Sequence, residues 1–293
     1  MPTQPAVSQP LPVPPALFQV SATGECQWDV TATELTRGPW ATGVMHGGAI
    51  CGLLGWAVES ALQRPDLVCT RLTVEILSGI PIESFEVTAT IVKGGKRTAV
   101  VESQLMHHGR MLARASSQWL LPNDDAVPPM AEVPPRPTLK ADPGAHPDME
   151  YPRPGFNADA TEQRIITGST EEPGPGLIWL QLSHPLVEGE TTTPFAHIAT
   201  LSDLGAAVGW DTSPDFRGDG SAASFINTDV TLQLLRRPVG NWALFESGTV
   251  QAGNGLACCR STLHDDAGLL GWVLQSQLEA PDEVALGILP AGR

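Results

Sequence analysis

The residue of greatest chemical consequence in this chain is a carboxylate set in an apolar helix. Asp203 lies in Leu201-Ser202-Asp203-Leu204, with Ala206-Ala207-Val208 following. An aspartate there must have hydrogen-bond partners or line a cavity where its charge is used. Turned on a water molecule, it is a general base. Two other polar residues could serve the same water. Thr228 opens a predicted strand in Asn227-Thr228-Asp229, and Gln275 follows the apolar run 269–274. Gln277 shares the face of Gln275, because strand side chains alternate, so either glutamine could supply the amide. A third element is His46-Gly47-Gly48, at the entrance of a predicted helix. N–H groups at a helix start, open to close approach where glycine leaves no side chain, can polarise a carbonyl or hold an oxyanion. Each of these features also has a plain reading, as a solvent-facing strand residue or a capped helix turn.

The elements that must position these residues are written twice. Gly47-Gly48-Ala49-Ile50-Cys51-Gly52-Leu53-Leu54-Gly55-Trp56-Ala57-Val58 aligns with His197-Ile198-Ala199-Thr200-Leu201-Ser202-Asp203-Leu204-Gly205-Ala206-Ala207-Val208. Leu53 falls on Asp203, so only the second copy carries the acid. Thr70-Arg71-Leu72-Thr73-Val74 then aligns with Thr228-Asp229-Val230-Thr231-Leu232. Three further β-like runs follow in each half, 85–92, 98–106 and 111–121, then 242–250, 256–263 and 269–278. Such self-similarity implies two copies of one unit, a pseudo-dimer in a single chain.

Each half therefore predicts a short strand, one long helix and several strands. The first helix starts near His46, stops before Pro65 and is apolar all round, which marks a buried helix. The second has Thr193 as N-cap and Pro194 at its first position, and should run to about Gly209-Trp210. The short glycine-bearing connections at 94–95, 109 and 253–255 suit hairpins, which disfavours an α/β sheet with helices between its later strands. Antiparallel strands wrapped on a buried helix are the hotdog arrangement. The expected fold is α+β, a double hotdog with one continuous antiparallel sheet around two long helices. The boundaries are a flexible tail at 1–14, a first hotdog at 15–121, a proline-rich linker at 122–154 and a second hotdog at 155–285.

Composition narrows the partners. The net charge of −15 argues against nucleic acid, so an anionic ligand needs a local basic patch. No apolar run is long enough to span a bilayer and the N-terminus is not a signal peptide, so the expected setting is the cytoplasm. The five cysteines, Cys26, Cys51, Cys69, Cys258 and Cys259, contain no C-x-x-C pair and read as reduced thiols. His107-His108 has no third ligand near it in sequence, and Gly109 after it favours a hairpin turn, so no metal is expected. There is no G-x-S-x-G elbow and no Walker or dinucleotide motif.

The stretch Gly38-Pro39-Trp40 to His46-Gly47-Gly48-Ala49 resembles the first-helix entrance of the acyl-CoA thioesterase II family. Leu201-Ser202-Asp203-Leu204 resembles its catalytic helix, Asn227-Thr228-Asp229 through Arg236-Arg237-Pro238 its threonine-bearing strand, and Gly268 to Gln275-Ser276 its final strand. The resemblance covers about 15–121 and 155–282. It implies hydrolysis of acyl-CoA thioesters to free acid and CoA, with no metal or redox cofactor. It implies Asp203 as the water-activating base, with Thr228 and Gln275 positioning the water. Lys93, Lys96, Arg97, Arg236 and Arg237 are the candidate contacts for CoA phosphates. A non-catalytic acyl-CoA or lipid-thioester binding protein on the same scaffold is the alternative. A dehydratase is disfavoured, because Val208 stands where a hotdog hydratase would carry histidine. Further homo-oligomers occur in that family, and the sequence does not set their number.

Overall fold

A computed structural model describes residues 13–38, 43–123, 155–168, 175–207, 225–251 and 254–279. Most of the expected tail and linker lies outside these residues. The first half contains β1 (Phe18–Gly24), β2 (Gln27–Ala32), α1 (Gly47–Leu62), β3 (Val68–Ile76), β4 (Ser84–Gly94), β5 (Thr98–His107) and β6 (Arg110–Leu120). The second contains β7 (Thr161–Thr167), β8 (Gly176–Leu182), α2 (Pro194–Leu201), β9 (Phe225–Asn227), β10 (Asp229–Leu234), β11 (Ala243–Gln251), β12 (Leu256–Asp265) and β13 (Gly268–Glu279). Two strands, rather than one, precede each helix.

All the described strands join one antiparallel sheet, in the order β1-β2-β4-β5-β6-β3-β10-β13-β12-β11-β8-β7, with β9 also on β13. Read from the centre outward, each half repeats the other. At the seam β3 pairs with β10, and Thr73 lies opposite Thr231, 3.3 Å apart between hydroxyls. These are the two threonines that the internal repeat equates. A residue facing its own counterpart marks a pseudo-two-fold axis, so the repeat seen in sequence is a rotation in space.

α1 is set by its ends. His46 is its extended N-cap, accepting from the Gly48 N–H, and Gln63 closes it with a positive φ two residues before Pro65. Every residue of the helix except Glu59 and Ser60 is buried. Its glycines allow α2 to approach backbone to backbone. A Cβ on Gly52 would lie 2.1 Å from Thr200 Oγ1, and one on Gly48 would lie 2.6 Å from the Thr200 carbonyl.

α2 begins as expected, with the Thr193 hydroxyl accepting from Ala196 N–H and Pro194 in the first turn. It does not run on as one α-helix. After Leu201 it tightens to a 3-10 turn over Ser202–Ala207, and the expected end at Gly209-Trp210 lies outside the described residues. The Gln275 amide, far away in sequence, donates to the Ser202 and Asp203 carbonyls of this turn at 3.1 and 2.9 Å, which ties the turn to β13.

Candidate active site

The 3-10 turn carries Asp203 into the junction of the two halves. Its side chain is 1 % exposed. One carboxylate oxygen accepts from the Asn227 amide at 2.6 Å. The other lies 3.1 Å from His46 Nδ1. Asn227 is held in turn by the Gln277 amide, which donates to its carbonyl oxygen at 2.8 Å. The chain Gln277–Asn227–Asp203–His46 thus runs from β13 through β9 to the start of α1.

His46 Nδ1 is also 3.0 Å from the Gly48 N–H. A single ring nitrogen cannot donate to the carboxylate and accept from Gly48 at once. With the proton on Nδ1 the ring donates to Asp203 and leaves the Gly48 N–H open, and without it the Gly48 N–H caps the helix on that nitrogen. The ring is pinned by Phe156, which stacks on it at 4.5 Å. Gly47 is required by the same crowding, because a Cβ there would sit 2.5 Å from Asp203 Oδ2.

Asp203 opens onto a pocket of about 290 Å³. Val44, Met45, Ile50, Ile76, Ile80 and Ile226 make most of its wall, Gly47 and Asn227 stand beside the carboxylate, and Thr228 also lines it. The first half supplies most of the apolar wall and the second half the acid. A largely apolar cleft with a few convergent polar groups suits an acyl chain ending in a reactive carbonyl.

The expected residues are not placed equally. Asp203, Gly47 and Thr228 line the pocket, and His46 touches Asp203. Thr228 is exposed, and its hydroxyl donates to the Ser276 carbonyl. The side chain on the acid at this point is Asn227, which the sequence reading passed over. The reason is a bulge. β10 sends Val230, Leu232 and Leu234 inward, so strict alternation would bring Thr228 inward too. The pairing slips by one residue there, from Asn227 opposite Gln277 to Thr231 opposite Leu274, and Asn227 takes the inward place. The same slip occurs in the first half between Cys69 and Arg71.

Both glutamines are buried, and they divide the work. Gln275 holds the backbone of the Asp203 turn, while Gln277 holds Asn227. Strand register places Ser117 and Trp119 of the first half where the second half has Gln275 and Gln277. Trp119 packs edge-on against Phe195 of α2, so hydrophobic packing occupies the place of the second half's amide chain.

None of the five candidate CoA-contacting cations lines this pocket. Lys93, Lys96 and Arg97 are exposed at the β4–β5 hairpin. Arg236 binds Asp265 through both Nη atoms at 2.8 and 2.6 Å, and Arg237 donates to the carbonyls of Pro65 and Leu67. The guanidinium groups of Arg236 and Arg237 are thus engaged within the fold, with Arg236 half-buried and Arg237 still exposed.

The five cysteines are free thiols. Burial pushes the Cys51 and Cys69 thiols well above their ordinary pKa, so neither is a nucleophile at neutral pH. No helix among the described residues is long and apolar enough to cross a membrane.

Solved structures with the same fold include a tesB protein of Mycobacterium avium subsp. paratuberculosis, at 14% identity over 89% of this chain and 96% of that one, with a TM-score of 0.67. Acyl-CoA thioesterase II TesB2 of Mycobacterium marinum matches at 16% identity over 89% and 96%, TM-score 0.62. A hot dog-fold protein of Alicyclobacillus acidocaldarius matches at 16% identity over 89% and 96%, TM-score 0.65. No curated protein sequence matches the chain. The model of the acyl-CoA thioesterase N-terminal domain matches residues 36–119, and that of the C-terminal domain matches residues 125–278. With both domain models matched in order along one double-hotdog sheet, the chain belongs to the acyl-CoA thioesterase family and is a thioester hydrolase.

Proposed function

We propose that Asp203 is the general base that hydrolyses an acyl-CoA thioester bound in the pocket between the two halves. The observation that carries this reading is a buried carboxylate, fixed on both oxygens, facing an apolar pocket. Asn227 and His46 hold it in one orientation, so little reorganisation is needed at reaction. A water beside Asp203 gives up a proton to the carboxylate as its oxygen attacks the thioester carbon. The carbonyl oxygen becomes an oxyanion at the first turn of α1, where the N–H groups of Gly47 and Gly48 lie. Collapse breaks the carbon–sulfur bond. The proton on Asp203 passes to the departing sulfur, giving free acid and CoA thiol.

In this scheme Asn227 takes the orienting role expected of Thr228, and Gln275 acts through the backbone of the turn. The exposed Lys93, Lys96 and Arg97 remain as contacts for the CoA phosphates. Acyl-chain preference is set by the aliphatic walls, because each buried methylene contributes about 0.8 kcal/mol.

The test is release of CoA thiol from short, long, branched and aromatic acyl-CoAs by wild type and Asp203→Asn. A fall in kcat of roughly 10²–10⁴-fold with retained substrate binding is expected for loss of a general base. Equal turnover by the variant would move the base elsewhere. Binding without turnover in the wild type would make this pocket a receptor.

A further inference from the structure

The β5–β6 hairpin turns at His108-Gly109, both with positive φ, 49° and 75°. This two-residue turn ordinarily takes asparagine, aspartate or glycine at its first position. The unusual histidine there has a geometric consequence. Neighbouring strand residues face opposite sides, yet the rings of His107 and His108 lie 4.0 Å apart. Glu83, at the end of the loop leading to β4, meets them, with its carboxylate 3.0 Å from His107 Nε2. One ligand atom from each of Glu83, His107 and His108 falls within 4.8 Å of the others.

The other half shows what this corner of the fold does. His107 opposite Arg110 closes its hairpin as Asp265 opposite Gly268 closes the β12–β13 hairpin. Asp265 is clasped to the loop before β11, taking both Nη atoms of Arg236 and the Val239 N–H. There the hairpin supplies an anion and the loop supplies the cation. In the first half the loop supplies the anion, and the hairpin supplies two imidazoles. Each imidazole has a ring nitrogen that can serve as a metal ligand.

We propose that Glu83, His107 and His108 form a binding site for a divalent transition-metal ion of the Zn²⁺ class, which clasps the loop 77–83 to the β5–β6 hairpin. Two imidazoles and a carboxylate are a ligand set that Zn²⁺ accepts, with water completing the coordination. The consequence reaches the pocket, because Leu77, Ser78, Gly79 and Ile80, at the start of this loop, form part of its wall. The ion stiffens that wall and takes no part in hydrolysis.

The test is calorimetric titration of the full-length protein with ZnCl₂, alongside Co²⁺ as a spectroscopic probe. Wild type should bind one ion at this site and show the visible bands of low-coordinate Co²⁺. His108→Asn, which suits the turn, and Glu83→Gln should each weaken binding by about tenfold or more, since even outer-shell ligand partners cost 10–100-fold. Zn²⁺ should also slow hydrogen exchange in residues 77–83 of the wild type alone. Absence of Zn²⁺ binding, or binding undiminished in both variants, overturns the site. Lowered stability in the variants with no metal bound by wild type reduces the cluster to an ion pair and also overturns it.

Discussion

At the residue scale, the site depends on which side chain of Asn227-Thr228 faces the acid. The Asn227 amide on Asp203 at 2.6 Å predicts that Asn227→Ala lowers kcat by roughly 10–100-fold with little change in KM, since a lost orienting contact acts on the transition state. Thr228→Val should leave kcat within a few-fold, because its hydroxyl serves a backbone carbonyl. Steady-state kinetics on both variants decides between them, and the reverse ranking would restore Thr228 to the role its motif suggests. Asp203 itself was legible in the sequence, because an acid interrupts a helix that its own repeat shows to be apolar. Asn227 was not. The bulge that turns it inward leaves no trace in the local pattern.

At the scale of elements, α1 and α2 pack through small residues, and little room is left between them. Gly52→Ala would drive a methyl group into the Thr200 hydroxyl, so a loss of about 1–3 kcal/mol is expected in denaturant unfolding. The same pair of helices is joined at Glu59, whose carboxylate accepts from the Thr193 hydroxyl at the N-cap of α2, 2.5 Å away. Burial raises the Glu59 pKa above its usual value, partly offset by Thr193 and by the charge of Arg237. Here the folded state binds the proton more tightly than the unfolded chain does. Glu59 therefore favours folding at low pH, and that contribution is lost as pH rises from the unfolded carboxylate value through the raised folded one. Glu59→Gln should flatten this part of the stability–pH curve and stabilise the protein at neutral pH. An unchanged curve would show that Glu59 is solvated in solution.

At the scale of the whole molecule, the sheet runs unbroken through the β3–β10 seam, and the pocket draws its acid from one half and most of its wall from the other. Calorimetry should therefore give one cooperative unfolding transition, and two separated transitions would mean that the halves fold as independent units. Arg236 belongs to the architecture of the second half. Arg236→Met would strand Asp265, whose side chain is 1 % exposed, and breaking such a pair costs up to about 3–5 kcal/mol, less here because Arg236 is partly exposed. The same variant should keep its KM for acyl-CoA within about twofold. A large rise in KM would return Arg236 to the CoA site.

The sequence by itself determined the duplicated plan, the buried helices with their caps, the hairpins and the half that carries the acid. All of these rest on periodicity, capping chemistry and turn residues, which act over a few positions along the chain. Tertiary structure alone decided which neighbours of Asp203 touch it, where α2 tightens and which arginines are already engaged. Those outcomes depend on contacts between residues far apart in sequence. Gln275 bonds to Ser202 and Asp203, Gln277 to Asn227, and Asp265 to Arg236. A one-residue slip in strand pairing changes which side chain faces the core, and no local pattern records that slip.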